Sequence, residues 1–162
     1  MSKQELAFLP ANEVLALFRS GELSPVDLLD VIIERAEAIE SSVNPFADKY
    51  FDEARHRAKK SEESYRVGTA RPLEGVPLLI KDSSPIKGIR ATVGSLRNAQ
   101  KVDHYTDPSI DRLLKAGANF FARSTCPEFC WLFTCHSKMW GVTRNPWRLD
   151  ITPGGSSGGS AA

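Results

Sequence analysis

The chain has 162 residues, enough to bury one core in one domain. Hydrophobic residues make up 41% and charged residues 25%, which excludes disorder as the dominant state. The formal net charge of +1 gives no electrostatic case for nucleic acid or an anionic membrane as partner. No run is long and apolar enough for a transmembrane helix, and the polar opening Met1-Ser2-Lys3-Gln4-Glu5 leads into no apolar h-region, so neither a membrane span nor a secretory signal is expected. Three cysteines, Cys126, Cys130 and Cys135, are odd in number and close together. That suits reduced thiols and a cytoplasmic location better than a disulfide framework.

In chain order, Val14, Leu15, Leu17 and Phe18 predict a short amphipathic helix from Ala11 to Arg19, stopped near Gly21. Ser24 as N-cap, Pro25 at the first helical position and Asp27 in the first turn predict a second helix over about 25–40. Its apolar stripe is Leu28, Leu29, Ile32, Ile33, Ala36 and Ile39. A short strand is expected within Val43–Phe51. Asp52–Tyr65, rich in Glu, Ala, Arg and Lys, reads as a solvated helix, and its basic residues as a wet face. Val76–Ile80 is a continuous apolar run ending abruptly in Lys81-Asp82, and predicts a buried strand. A helix over Ser109–Ala116 and a second apolar strand over Ala118–Ala122 follow. Alternating strands and helices indicate an α/β fold with some parallel pairing, organised as a single domain without internal boundary.

Three features carry candidate chemistry. The chain closes on Pro153-Gly154-Gly155-Ser156-Ser157-Gly158-Gly159-Ser160-Ala161-Ala162. Such a run is either a flexible linker or a tight loop whose amides cradle an oxyanion and whose serines relay protons. Lys81 is either the point where a strand meets water or a desolvated amine that serves as a base. Asp82 beside it would oppose that if it faced the amine, but need not face it, since successive strand residues alternate sides. The cysteines with His136 are either a zinc site or small buried hydrophobes. Their spacing lacks paired Cys-x-x-Cys knuckles and favours the latter. His56 and His104 are assigned no role.

Three segments together resemble the amidase signature family. Gly75-Val76-Pro77-Leu78-Leu79-Ile80-Lys81-Asp82 is similar to the strand that carries that family's catalytic lysine. Cys126-Pro127-Glu128-Phe129 followed by Gly141-Val142-Thr143-Arg144-Asn145-Pro146-Trp147 is similar to the stretch before the signature, and Pro153–Ala162 to its opening. A weaker likeness runs through nearly the whole chain. The resemblance implies the N-terminal part of a mixed α/β amidase fold, in which a sheet is flanked by helices. It also implies amide hydrolysis without metal or cofactor, by a nucleophilic serine, a bridging serine after a cis peptide bond, and a lysine. On this chain the lysine is Lys81 and the bridging serine Ser156. The nucleophile belongs to a second Gly-rich stretch not found in these residues, so this chain alone is expected to be inactive; Ser157 and Ser160 do not match its position. Substrate-contact candidates are Cys130, Trp131, Gly155 and Ser157. A small-molecule amide is the expected partner, with self-association of the chain. Departures from the family pattern are Ser83, where many relatives have asparagine, and Arg123, where many have lysine. The Phe129-Cys130-Trp131 run looks more like general acyl amidases than like subunits of a tRNA-dependent amidotransferase. That amidotransferase role and a non-catalytic remnant remain the alternatives.

Overall fold

Local signals decide most helix limits. The computed structural model describes residues 1–162. A short helix, α1 (Lys3–Ala7), was not among the expected elements; Ser2 and Glu5 close it with a reciprocal capping box. α2 (Ala11–Ser20) ends at Gly21, whose left-handed φ of 75° lets its N–H reach the Leu17 and Phe18 carbonyls. α3 (Pro25–Val43) begins where the Ser24 hydroxyl accepts from the Val26 N–H at 3.0 Å and donates to Glu62 at 2.6 Å. It outruns its expected end because no breaker intervenes before Asn44, which adopts a φ of 53°. α4 (Phe51–Arg66) is solvated as expected but buries Ala54, Ala58 and Ser61 along one side.

The chain divides into two compact units. The first comprises Met1–Ala38, Tyr50–Leu78 and Arg112–Phe121. Its apolar cluster is Val14, Phe18, Leu23 and Leu28, against which Leu6, Leu9, Leu17, Ile32 and Tyr65 pack. Its buried charge is Glu74. That carboxylate accepts from the Ser61 hydroxyl at 2.6 Å and from the Arg71 guanidinium at 2.5 Å, while the Tyr65 hydroxyl donates to the Glu74 carbonyl at 2.9 Å.

The second unit comprises Ile39–Lys49, Leu79–Asp111 and Ala122–Ala162. It contains β1 (Phe46–Lys49) and the C-terminal ends of β2 (Pro77–Lys81) and β3 (Asn119–Ser124), in the order β1-β3-β2. β1 runs antiparallel to β3 and pairs Phe46 with Ser124 and Lys49 with Ala122 around a bulge. Two hydrogen bonds flank the other pairing, Asn119 N–H to the Val76 carbonyl and Asp82 N–H to the Ser124 carbonyl. They climb both chains in the same direction, so β2 and β3 are parallel and the sheet is mixed. β3 is buried at every position. The buried strand expected at Val76–Ile80 is corrected here: β2 is an edge strand, and only its Ile80 is fully buried. An edge strand has a neighbour on one side only, so a continuous apolar run does not ensure burial. α5 (Pro108–Lys115) precedes β3. A two-residue hairpin, β4 (His136–Ser137) and β5 (Gly141–Val142), and a last turn, α6 (Gly158–Ala161), complete the chain.

Candidate active site

β2 delivers Lys81 as its last residue. The half-buried side chain reaches the Gly/Ser segment, where its Nζ donates to Ser156 Oγ at 2.8 Å. Ser156 follows a cis peptide bond from Gly155. The segment is a shaped loop, packed closely at Gly155, Gly158 and Gly159. Gly154 takes a φ of 95°, which glycine adopts without penalty. At Gly155 a Cβ would stand 2.7 Å from the Leu132 carbonyl oxygen and 2.8 Å from the Phe133 carbonyl carbon, so the side chain is absent where two backbones nearly touch. Gly158 and Gly159 are buried against Cys135 and Thr125, where a Cβ would collide.

Beneath Lys81 lies a network that the sequence did not disclose. Asp82 is fully buried. Its carboxylate accepts from the Thr92 N–H at 2.9 Å, the Gly94 N–H at 3.1 Å, the Trp140 indole N–H at 3.0 Å and the Thr92 hydroxyl. A buried carboxylate is tolerable only when its lone pairs are filled this way. The Asp82 carboxylate is thus committed to donors from Thr92, Gly94 and Trp140. The one sequence hint was the polar Lys-Asp pair closing an apolar run; nothing in the sequence marked Thr92 or Trp140.

The Cys126 and Cys130 thiols interact, while the Cys135 thiol donates to the Thr125 hydroxyl at 3.6 Å. Cys126 and Cys135 are buried, whereas Cys130 is half-buried. Burial pushes the Cys126 thiol well up, Cys130 and Asp82 push the same way, and Lys81 opposes them. A thiol held protonated is a poor nucleophile and a poor ligand. No group of three or more His, Cys, Asp or Glu side chains is placed to hold a metal ion.

Residues 27–162 match the model of the family described as Amidase. The chain belongs to the amidase family. A glutamyl-tRNA(Gln) amidotransferase subunit from Synechococcus sp. (strain CC9605) is 39% identical over 145 residues, covering 89% of this chain and 30% of the relative. A putative amidase AmiB2 from Mycobacterium bovis (strain ATCC BAA-935 / AF2122/97) is 36% identical over 162 residues, covering all of this chain and 35% of the relative. Among solved structures, a bacterial aryl acylamidase of the amidase signature family superposes with a TM-score of 0.88 at 28% identity, over 96% of this chain and 33% of that one. A fatty acid amide hydrolase with a TM-score of 0.91 at 24% identity, over 97% of this chain and 28% of that one, shares the fold. The chain spans about a third of the length of the curated relatives it matches.

Within this chain the two residues expected to form a pair, Lys81 and Ser156, meet. The expected substrate contacts are more scattered in character. Gly155 is explained by the close backbone approach described above. Ser157 is exposed and opens α6, where its carbonyl accepts from Ser160 and Ala161. Phe129 and Cys130 both adopt left-handed φ values, 52° and 57°, an uncommon backbone for residues with a Cβ. They turn the chain so that Trp131 is 85% exposed.

Proposed function

We propose that this chain carries the lysine and bridging serine of an amide hydrolase, with the nucleophilic serine supplied by residues outside these 162. The carrying observation is the 2.8 Å contact between Lys81 Nζ and Ser156 Oγ. A serine hydroxyl is a weak nucleophile until a base removes its proton. In this reading Ser156, which donates and accepts at once, takes the nucleophile's proton and passes its own to the Lys81 amine. The acyl group moves from the amide nitrogen to the nucleophilic serine, and the leaving nitrogen takes the relayed proton. Water then repeats the sequence in reverse and releases the acid. Cys130, Trp131, Gly155 and Ser157 are the proposed substrate contacts, and the substrate is a small-molecule linear amide. No cofactor enters this mechanism.

The test is an assay of the 162-residue chain on simple aryl and alkyl amides. No turnover is expected. Turnover abolished by Lys81→Ala would refute the assignment of the nucleophile to other residues. Joined to the remaining length of a relative, the chain should become active, and Lys81→Ala should then abolish that activity.

A second reading, one component of a tRNA-dependent amidotransferase, is favoured by the relatives that bear that name. Co-purification with a tRNA-binding partner chain would support it. The Phe129-Cys130-Trp131 run favours the simple amidase.

A further inference from the structure

We propose that Arg123 is a positioning residue for Lys81, clamping the backbone from which the amine projects; this rests on reading Lys81 and Ser156 as a catalytic pair. Arg123 is fully buried, in a strand whose preceding residues are Phe120, Phe121 and Ala122. A guanidinium is costly to bury, and a site that needed only bulk would be served by leucine or methionine. Its Nη1 donates to the Lys81 carbonyl at 3.0 Å and to the Ser84 carbonyl at 2.9 Å, and Nη2 lies 4.0 Å from Asp103 Oδ2. The Ser84 N–H also donates to the Lys81 carbonyl, at 3.0 Å, so that oxygen is held by two donors just after the strand. A planar guanidinium spans two carbonyls, whereas an ammonium acts as a point charge.

The next two residues act on the other half of the pair. The Ser124 carbonyl accepts from the Asp82 N–H at 3.0 Å, and its hydroxyl pairs with Ser160 at 2.5 Å. The Thr125 carbonyl accepts from the Gly159 N–H at 3.2 Å. Three consecutive residues, 123–125, thus hold the peptide planes around Lys81 and the helical turn that follows Ser156. Arg123 is the member that touches Lys81 itself.

The experiment is competitive acetylation of the lysines of the folded 162-residue chain with acetic anhydride, read lysine by lysine by peptide mass spectrometry. In the wild type, Lys81 should label more slowly than exposed Lys3. Arg123→Met should raise Lys81 labelling by about tenfold, which corresponds to about 1.4 kcal/mol, while Lys49 and Lys3 stay unchanged. Arg123→Lys, which keeps a charge facing Asp103, should give a smaller rise, and decides the matter if Arg123→Met does not fold. Unchanged Lys81 labelling in a folded Arg123 variant, or a rise shared equally by Lys49, overturns the proposal. Ser156→Ala in an otherwise wild-type chain should also expose Lys81. If it does not, the Lys81–Ser156 pairing fails, whatever Arg123 does.

Discussion

At the scale of single residues, Asp82 shows how much a site depends on side chains that do no chemistry. Four donors converge on one fully buried carboxylate at the strand end next to Lys81. Removing the acceptor would strand those donors without water to replace it. Asp82→Ala should therefore destabilise the chain by about 3 kcal/mol, measured by urea unfolding. A loss below about 1 kcal/mol would mean that the network is dispensable. Lys81→Ala should cost much less, because Lys81 is only half-buried and its amine meets a single partner. The contrast separates a residue that holds the strand end from one that the fold presents. It was partly legible in sequence. The Lys-Asp pair after an apolar run marks a place where polarity is needed, but alternation alone does not tell which of the two the core accepts.

At the scale of elements, the turn before β2 is fastened to α4 by Glu74. Burial pushes that carboxyl up, but the hydrogen bonds from Arg71 and Ser61 outweigh it and hold it below the usual carboxylate range. A carboxyl whose folded value is depressed stabilises fully above its ordinary titration range and ceases to do so as pH falls through the folded value. The melting temperature of the wild type should therefore fall in acid. Glu74→Gln should melt lower than wild type at neutral pH and show a shallower acid decline. Parallel pH curves for the two proteins would show that Glu74 is not the titrating group. The sequence marked α2 and α3 well, because Gly21, Ser24 and Pro25 are punctuation whose physics is local. The hairpin β4–β5 and the turn α6 were not legible. Each spans two to four residues, too few for any periodicity to register.

At the scale of the whole molecule, the second unit exposes large aromatic side chains: Trp131 at 85%, Phe133 at 90% and Trp147 at 95%. Exposed apolar surface of this kind, together with an edge strand, favours association. The 162-residue chain should self-associate reversibly, and sedimentation velocity should show a mass that rises with concentration. Phe133→Lys combined with Trp147→Lys should shift it to monomer. A monodisperse wild-type monomer at all concentrations would contradict the expectation. No helix is long and apolar enough to cross a membrane, so these aromatics belong to no membrane-spanning helix.

Sequence patterns indicated the mixed α/β class, and the resemblance carried by three segments indicated the family and named Lys81 and Ser156 as a pair. Strand ends, helix caps and a glycine-rich loop are written in residue types whose backbone preferences act over a few positions. Only the tertiary structure decided that the amine faces that loop, that Asp82 faces a cage of donors, and that Arg123 grips the lysine's carbonyl. These partners lie 75, 10 to 58, and 42 residues apart in the chain. At such separations the pairing is set by how packed elements bring backbones together, a matter on which local propensity is silent.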